Sequence, residues 1–308
     1  MIDKNLKIFI AGDRSQVAID LHNLLLLHGY ISIISCNSSN LDLRNALKVK
    51  KMFIDEKPDV VFIIAAKTGN VKKQQIVPFD YLSDNLLIAL NLINACIEND
   101  VKRVIYFSSD SVLPFYSDGR LVDETDLLKD PVSNSVEAYS LSKIMGIKMC
   151  SYANTQMKRL FCVSLLPCYI YGNTSKGLIF SMIDDFIKAK EKSLPFITIW
   201  GNEDLRYKFI NSKDLANAAY FVMNNELKYD CYIVAPENQI AKKNLALMIA
   251  NQIEYKGKII FDESKPIRQG INASSARLLQ EGWKSSISLE EGIKDMINWY
   301  KEKMILQE

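Results

Sequence analysis

Apolar residues follow two patterns over the first 170 positions of the chain. Short, nearly continuous apolar runs alternate with longer segments in which apolar residues recur every three or four positions. The runs are typical of parallel strands buried on both faces, and the spaced segments of helices with one buried face. The predicted strands are 7–11, 31–35, 59–66, 103–108 and 161–166, and the predicted helices are 15–29, 43–56, 80–99 and 136–155. This alternation predicts an α/β fold with a doubly wound parallel sheet.

The pattern loosens after about residue 170. Helices near 178–191, 213–225, 241–254 and 288–303 are mixed with short strands near 196–200, 230–234 and 258–261. The sequence has no repeat, low-complexity tract or flexible linker between its halves. We therefore predict a Rossmann-type domain over 1–170, to which parts of 200–235 return. A smaller α/β lobe over 171–308 is expected to pack against it.

Composition narrows the class of protein. The chain has 308 residues, which is long enough to bury a sizeable core, and a formal net charge of +2 with scattered cations. This charge pattern gives no support for nucleic-acid binding. The longest apolar runs, such as 60–66, are too short to span a membrane, and no signal peptide precedes the first strand. We expect a cytoplasmic protein that binds neither nucleic acid nor membrane.

Cysteines and histidines bear on metal binding and on redox state. Both histidines, His22 and His28, fall in the first predicted helix, and no Cys-x-x-Cys spacing occurs. We therefore predict no metal site, and reduced cysteines that lie mostly in the core. The cysteines are Cys36, Cys96, Cys150, Cys162, Cys168 and Cys231.

The segment Tyr139-Ser-Leu-Ser-Lys143 carries the strongest chemical signal. It is the only Tyr-x-x-x-Lys spacing among the 14 tyrosines. Residues four apart on a helix lie on one face, so the lysine ammonium is expected near the phenol. A nearby positive charge favours the phenolate and lowers the tyrosine pKa. Such a tyrosine can exchange a proton with a carbonyl oxygen, and the preceding predicted strand ends in Ser108-Ser109. The sequence thus indicates carbonyl–alcohol redox chemistry.

A turn after the first predicted strand indicates a dinucleotide site. A Rossmann turn of the reductase type has the pattern Gly-x-x-Gly-x-x-Gly, and here Gly12 is followed by Ser15 and Ala18. Both replacements are small, so the helix can still present its N-terminus to a phosphate. An ordinary strand–turn–helix accounts for the same residues and stays open.

The end of the second predicted strand bears on the choice of cofactor. Cys36-Asn37-Ser38-Ser39 contains no acid to bind a ribose 2′-hydroxyl, and Arg14 in the preceding turn is a nearby cation. These features favour NADP(H) over NAD(H). A plain polar loop is the alternative.

These residues together resemble the extended short-chain dehydrogenase/reductases and, within them, the GDP-L-fucose synthases. The resemblance extends from Lys7 to about Tyr300 and is closest in the segment 137–150. Its other landmarks are Gly12, Ala65-Ala66-Lys67, Asp84-Asn85, Phe107-Ser108-Ser109, Tyr171-Gly172, Trp200-Gly201, Lys213-Asp214-Leu215-Ala216, Phe261 to Pro266 and Glu281-Gly282-Trp283. The resemblance implies NADPH-dependent chemistry on a 4-keto sugar carried by GDP, and a homodimer through a four-helix bundle formed by the helices 80–99 and 136–155.

Several departures from that family limit the predicted activity. The synthases carry a cysteine two residues after the catalytic serine, where this chain has Ser111, and a histidine in the loop that here reads 172–177 without one. That pair performs proton transfer at C3 and C5, so epimerisation is expected to be absent. In sugar dehydratases the acid at the position of Asp110 is followed by a second acid, and the pair eliminates water. Here Asp110 is followed by Ser111, so dehydration is not expected. The family has small polar residues where this chain has Cys168-Tyr169. This difference changes the wall near the nicotinamide, so the resemblance does not identify the sugar.

The predicted site divides into three groups of residues. Ser109 polarises the carbonyl, Tyr139 donates the proton, and Lys143 lowers the tyrosine pKa and binds the nicotinamide ribose. The predicted cofactor-binding residues are Gly12, Arg14, Ser15, Gln16, Val17, Cys36, Asn37, Ser38, Ala65, Ala66, Lys67, Phe107, Tyr139, Lys143, Pro167 and Ile170. The predicted substrate-binding residues, under the nucleotide-sugar-binding lobe, are Asp110, Ser111, Tyr169, Lys176, Trp200, Arg206, Lys208, Asp262, Lys265 and Arg268.

The leading hypothesis is a reductase of a nucleotide-linked 4-keto sugar, acting in surface polysaccharide biosynthesis. One alternative is a bifunctional epimerase/reductase that uses Lys176 or a cysteine as base. A second is an enzyme for a CDP- or dTDP-linked sugar or for a non-sugar carbonyl. A third, motivated by the eroded glycine turn, is an NADP(H)-binding regulator without activity.

Overall fold

The computed structural model describes residues 4–116, 118–159, 161–264 and 270–305. Its strands are β1 (Ile8–Ala11), β2 (Ile33–Cys36), β3 (Val60–Ile63), β4 (Arg103–Phe107), β5 (Cys162–Pro167), β6 (Tyr169–Tyr171), β7 (Phe196–Trp200), β8 (Arg206–Tyr207), β9 (Phe209–Asn211), β10 (Cys231–Val234), β11 (Ile240–Ala241) and β12 (Lys258–Asp262). Its helices are α1 (Gln16–Leu27), α2 (Ala46–Glu56), α3 (Val71–Ile76), α4 (Pro78–Glu98), α5 (Glu137–Met157), α6 (Leu178–Glu191), α7 (Ser212–Asn224), α8 (Lys242–Ile253), α9 (Ala276–Gln280) and α10 (Leu289–Ile305).

Six parallel strands form the central sheet, in the order β10-β5-β4-β3-β1-β2. Every residue of β1, β3 and β5 is buried, which explains why these strands read as continuous apolar runs. The order reverses direction between β1 and β3, so this sheet is doubly wound. The predicted α/β fold class is confirmed.

Helices cover both faces of the central sheet. On one face α1 packs against α7, and on the other α4 packs against both α2 and α5. The helices begin where the sequence supplies caps, since Ser15 accepts a hydrogen bond from the backbone of α1 and Asn45 from that of α2. This arrangement leaves the carboxyl ends of the parallel strands open to one edge of the domain.

A second hydrophobic core lies outside the central sheet. The helices α6, α8 and α10 pack there with three two-stranded sheets, β6–β9, β7–β12 and β8–β11. The strand β10 returns from this half of the chain and pairs with β5 at the edge of the central sheet. The two cores meet at β5 and β6, which are separated by Cys168 alone.

The larger elements match the sequence prediction, and the short ones were missed. The missed helices are α3 and α9, and the missed strands are β6, β8, β9 and β11. Strands of two or three residues contain no full repeat of an apolar pattern, so their position depends on the partner strand. The short strands β6, β8, β9 and β11 contribute to the second core or its edge, through residues such as Tyr171, Tyr207, Phe209 and Ile240.

The six cysteines are buried, but the expectation that all are reduced is wrong for two of them. Cys150 of α5 and Cys162 of β5 form a disulfide, with their Cα atoms 5.2 Å apart. The other four are free. The pairing joins the helix of Tyr139 and Lys143 to the strand beside it. No spacing rule in the sequence indicates it, because the contact exists only once α5 packs on the sheet.

The described residues contain neither a membrane-spanning helix nor a cluster of metal ligands. None of the helices in the described ranges is long and apolar enough to cross a bilayer. Within those ranges no three His, Cys, Asp or Glu side chains gather in a way that could hold a metal ion. The cytoplasmic location stays a prediction.

Candidate active site

Gly12 lies where the strand order of the central sheet reverses. Its φ is +104°, and a Cβ atom at this position would come within 2.7 Å of the backbone N and Cα of Ala65, which follows β3. Only glycine permits both the left-handed conformation and this approach. The turns after β1 and β3 therefore meet at the crevice where doubly wound sheets bind ligands.

The turn after β1 contacts the loop after β2 through side chains. Arg14 donates a hydrogen bond to Ser39, and the carboxylate of Asp13 accepts bonds of 3.3 Å from Asn37 and 3.4 Å from Ser35. Ser15 caps α1 by accepting from the Ala18 amide at 3.1 Å. The arrangement places a guanidinium and a capped helix N-terminus beside the end of β2, which suits phosphate groups.

The loop after β3 is fixed by α4. Asn85, buried in α4, accepts from the Lys67 amide at 2.7 Å and donates to the Lys67 carbonyl at 3.1 Å. The Lys67 ammonium pairs with Asp84 at 2.8 Å and with Asp80 at 3.3 Å. Ala65 and Ala66 are thereby held beside Gly12, so this part of the predicted cofactor site is a single rigid edge.

Ser109 follows β4 and caps a short turn formed by Asp110, Ser111 and Val112. Its hydroxyl oxygen accepts from the Ser111 amide at 3.2 Å and its hydroxyl donates to the Asp110 carboxylate at 3.3 Å. Ser111 is 1% exposed and Asp110 is 4% exposed, whereas Ser109 is partly exposed. The hydroxyl that can face a ligand is thus that of Ser109.

Tyr139 and Lys143 lie one turn apart on α5, as predicted. Lys143 is 3% exposed, and its ammonium donates to the carbonyl of Phe107, the last residue of β4, at 2.8 Å. The same ammonium lies 4.8 Å from the ring centroid of Tyr106. Gly146 makes this approach possible, because a Cβ there would meet the Tyr106 hydroxyl at 2.2 Å. Lys143 is therefore buried, whereas Tyr139, one turn earlier on α5, is partly exposed.

Burial has a consequence for the charge of Lys143. Removal from water lowers the pKa of this amine from an ordinary 10.5 to about 7 in the ligand-free chain. Near neutral pH the ligand-free protein therefore contains both the neutral amine and the ammonium, and nearby negative charge would favour the ammonium. Sequence reasoning located this residue but assumed that it is always charged.

In ligand-free protein, Lys143→Met is expected to reduce the rise of stability with pH. Between pH 7 and 10.5 the unfolded chain keeps the proton that the folded chain has released, so the unfolding free energy of the wild type increases with pH. The contribution is at most about 1.4 kcal/mol per pH unit. Urea unfolding at about pH 7, 8 and 9 measures it, with Lys148→Met as a control on the same helix. Parallel curves for wild type and Lys143→Met would contradict this assignment.

Cys168 and Lys208 are two further buried groups. Cys168 is 3% exposed, and burial, with a smaller effect from Asp110, raises the pKa of its thiol well above the ordinary value. Lys208 is also 3% exposed and donates to the Ala273 carbonyl at 2.9 Å; burial lowers its pKa. A thiol with a raised pKa stays protonated near neutral pH, so Cys168 is a poor base.

Both histidines belong to α1, His22 within it and His28 at its C-terminal end. His28 ends α1 and stacks on Tyr220 of α7 at 4.3 Å between ring centroids. It lies about 18 Å along the helix axis from the N-terminus of α1. Lys176, the other base considered for epimerisation, is exposed in a loop whose Ser175 accepts from Lys303 at 2.6 Å.

A polar cleft opens between the β4–α5 segment and the second core. It has a volume of about 300 Å³. Its wall is formed by Phe115, Tyr116, Asp118, Gly119, Arg120, Val122, Arg206, Gln239, Gly270, Ile271 and Asn272. Arg206 is exposed to the cleft while the adjacent Tyr207 is 1% exposed in the second core. Arg206 is therefore the residue of β8 that a ligand in the cleft can reach.

The remaining predicted residues occupy three further places. Cys36, Phe107 and Pro167 are the last residues of β2, β4 and β5, and Gln16 and Val17 begin α1. Tyr169 packs edge-on against Tyr207 at 5.3 Å, and Ile170 is 43% exposed. Trp200 and Asp262 pair at the ends of β7 and β12 and are not among the residues that line the cleft. Lys265 and Arg268 lie outside the described residues.

Sequence reasoning missed several residues with clear positions here. Asn85 holds the loop after β3, and Arg120 with Tyr116 forms one side of the cleft. The amides of Gln239 and Asn272 also line it. For Asn85 the family resemblance was the only signal. The missed cleft residues lie in loops without a motif, and the segment between Ser109 and Tyr139 offered only its two cations, Arg120 and Lys129, as a signal.

The family model described as "NAD dependent epimerase/dehydratase family" matches residues 8–235 of this chain. A "Putative GDP-L-fucose synthase 2" of Arabidopsis thaliana is 28% identical, over 99% of this chain and 94% of that protein. The GDP-L-fucose synthase of Escherichia coli K12 is also 28% identical, over 96% of this chain and 97% of that protein.

A solved structure has the same fold over nearly the whole chain. It is MlghC, described as a GDP-mannoheptose C4 reductase from Campylobacter jejuni with NADP bound. The TM-score is 0.85 at 26% identity, covering 98% of this chain and all of that one.

Proposed function

Since this chain belongs to the NAD dependent epimerase/dehydratase family, we propose that it reduces the C4 keto group of a GDP-linked 4-keto-deoxy sugar with NADPH. The proposed reaction includes no epimerisation at C3 or C5 and serves surface polysaccharide biosynthesis. The observation that carries this proposal is the arrangement of Ser109, Tyr139 and Lys143 at the end of β4, without a histidine near them. Relatives with GDP-sugar synthase and C4-reductase names support it.

The residues at the ends of β1 and β2 fit NADP(H). Arg14 and the hydroxyls after β2 suit a 2′-phosphate, and the capped N-terminus of α1 suits the pyrophosphate. When bound, this cofactor supplies the hydride. We assign the cofactor to a domain of residues 1–170 with the returning strand β10, and the nucleotide sugar to the lobe over 171–308.

Three side chains perform the remaining chemistry. Tyr139 donates its phenolic proton to the C4 oxygen, which becomes the alcohol. Ser109 donates a hydrogen bond to the same oxygen as negative charge develops on it. Lys143, held by the Phe107 carbonyl, gains a favourable environment for its ammonium when negative charge develops at the phenol.

The missing epimerase groups support reduction as the only reaction. Ser111 stands where the synthases carry a cysteine and is 1% exposed. Cys168 is protonated and buried, and Lys176 is exposed outside the cleft. Neither the Ser111 hydroxyl nor the Cys168 thiol is a competent base near neutral pH for a C3 or C5 proton.

The reduction is tested with purified protein, NADPH and a GDP-linked 4-keto-6-deoxy sugar. Loss of NADPH absorbance is expected, and CDP- and dTDP-linked sugars tested in parallel identify the nucleotide. If none of the three substrates is consumed, the proposal fails. Tight NADPH binding without turnover would favour the regulator.

Epimerisation is tested by running the same reaction in deuterated water. We expect no deuterium at C3 or C5 of the product, measured by mass spectrometry and NMR. Incorporation at either carbon would favour the bifunctional alternative and would require a base other than histidine.

Asp13→Asn is expected to raise the preference for NADPH over NADH. The Asp13 carboxylate accepts a hydrogen bond from Asn37, beside the place proposed for the 2′-phosphate. Its negative charge would repel that phosphate. Removing this charge should strengthen NADPH binding by about threefold to tenfold relative to NADH. Fluorescence titration of both cofactors measures the ratio, and Arg14→Gln should change it in the opposite direction. An unchanged ratio in both variants would place the 2′-phosphate elsewhere.

A homodimer through α4 and α5 completes the proposal. Leu87 and Leu90 of α4 and Met145 of α5 are 41–49% exposed and fall on neighbouring helices. Leu87→Glu/Leu90→Glu should therefore convert a dimer to a monomer in light scattering after size exclusion. Leu247→Glu, at a position 44% exposed on α8, is the control. A monomeric wild type would refute this interface.

A further inference from the structure

We infer that Tyr106 is a positioning residue of this site, whose ring holds the Lys143 ammonium one helical turn from Tyr139. Tyr106 belongs to β4 and directly precedes Phe107, the residue whose carbonyl accepts from Lys143. It is 2% exposed, so its effect on the reaction must pass through Lys143. This inference rests on the proposed function, because it deepens the role that the reaction gives to Lys143.

The Lys143 ammonium is held by two successive residues of β4. It donates to the Phe107 carbonyl at 2.8 Å and lies over the Tyr106 ring, 4.8 Å from the ring centroid. A cation within about 6 Å of a ring centroid is attracted by the negative face of the ring, and the attraction strengthens where water is excluded. Lys143 is 3% exposed, so water is largely excluded here. The ring therefore adds an attraction that needs no hydrogen-bond acceptor.

The position of the Tyr106 ring is fixed by the central sheet and by α5. β4 lies between β3 and β5, where Tyr106 is in register with Ile63 and Ser164. A Cβ atom at Gly146 of α5 would lie 2.2 Å from the Tyr106 hydroxyl and 2.3 Å from the ring carbon that bears it. Gly146 and Lys143 are three positions apart and so share one face of α5. The ring thus packs against the helix face that carries Lys143.

The Tyr106 phenol stays neutral, which matters for the charge of the site. Burial raises the pKa of this phenol above its ordinary value, with a smaller contribution from the charge of Tyr139. A carboxylate in place of Tyr106 would form an ion pair with Lys143 and weaken the effect of the ammonium on Tyr139. A neutral ring holds the ammonium without cancelling its charge. Tyr106 is therefore suited to support Lys143 and unsuited to replace Tyr139 as proton donor.

The protonation of Lys143 reports on this contact. Burial lowers the pKa of Lys143 to about 7 and is its one cause among the described residues. The ring opposes this effect of burial, because it favours the ammonium. The other titratable groups on α5 and on the elements packed against it are Glu137, Tyr139, Lys148 and Tyr152 on α5, Asp80, Tyr81, Asp84, Cys96 and Glu98 on α4, Arg103 on β4 and Asp110 after it. In β5, Cys162 is in the disulfide and does not titrate.

Nuclear magnetic resonance titration of protein with labelled lysines tests this inference. The Lys143 signal is the one that disappears in Lys143→Met. Tyr106→Leu should lower the pKa of Lys143 by about 0.5–1 pH unit, because the ring face is lost. Tyr106→Phe keeps the ring and should stay within about 0.3 pH units of the wild type. Phe62→Leu removes a buried ring from the neighbouring strand β3 and should leave the Lys143 pKa unchanged.

A second replacement keeps the shape of the ring, in case leucine disturbs folding. Trifluorophenylalanine at position 106 has nearly the size of phenylalanine but a weakened negative face, so it should also lower the pKa of Lys143 by about 0.5–1 pH unit. With NADPH and a keto sugar, both variants should lose about 3- to 10-fold in kcat at about pH 8, where less ammonium remains. At about pH 6 the loss should be less than about twofold, since the ammonium then predominates in the wild type and is still present in the variants.

The outcomes separate this inference from the proposed reaction. An unchanged or raised Lys143 pKa in both Tyr106→Leu and the fluorinated variant would overturn the role of Tyr106 and leave the reductase proposal standing. An equal loss of kcat at the two pH values would also overturn it, because a purely structural role does not depend on the charge of Lys143. A lowered pKa in protein that reduces none of the GDP-, CDP- and dTDP-linked sugars would support the contact between ring and ammonium and sink the reaction.

Discussion

Tyr139→Phe is expected to lower kcat by about 10²- to 10⁴-fold while NADPH affinity stays within about threefold of wild type. Tyr139 is partly exposed, whereas Ser140 and Ser142 on the same turn of α5 are fully buried, so the phenol is the hydroxyl of that turn that a keto oxygen can reach. Phenylalanine keeps the ring and removes the proton donor. The loss therefore falls on the chemical step and not on cofactor binding.

The control for that variant lies on the same helix. Tyr152→Phe removes the hydroxyl of a tyrosine that is 70% exposed, and it should leave kcat unchanged. Steady-state and single-turnover rates of NADPH oxidation compare the two variants. If Tyr139→Phe retains more than about a tenth of wild-type kcat, the proton comes from another group.

Gly12→Ala is expected to cost about 2–5 kcal/mol of stability and to abolish tight NADPH binding. Its φ of +104° is strained for alanine, and the new Cβ would lie 2.7 Å from backbone atoms of Ala65. Backbone cannot swing aside as a flexible side chain does. The turns after β1 and β3 must therefore separate, and the crevice between them loses its shape.

Gly29→Ala is the matched control. Gly29 ends the same helix region with φ of +83°, but an added Cβ there meets nothing within 4 Å. It should cost only about 1 kcal/mol, from backbone strain, with normal NADPH binding. Thermal unfolding and cofactor titration measure both effects. Equal losses in the two variants would show that the contact with Ala65 is unimportant.

The sequence predicted the central sheet well because its strands are buried on both faces. The runs that became β1, β3, β4 and β5 are short and almost wholly apolar, and this pattern is typical of strands inside a parallel sheet. The spacing of Tyr139 and Lys143 likewise depends only on their common helix. Family membership followed from such landmarks and is confirmed by the match over residues 8–235.

The sequence could not predict what depends on packing between distant segments. The buried state of Lys143, the disulfide of Cys150 with Cys162 and the neighbourhood of Cys168 and Lys208 all require the folded chain. These features have no periodic signal, since each arises from residues on separate elements. The same holds for the cleft formed by loops of both halves.

By itself, then, the sequence determined the fold class, the helix that carries Tyr139 and Lys143, and the place of both histidines in the first helix, because each depends on local pattern or on residue identity alone. The tertiary structure decided which cations line the same cleft and which are withdrawn from solvent. Arg120 and Arg206 came to the same cleft, whereas Lys208 was buried beside it. The electrostatic potential and the solvent exposure of a side chain depend on every group around it in space. Those groups come together only when the two cores pack.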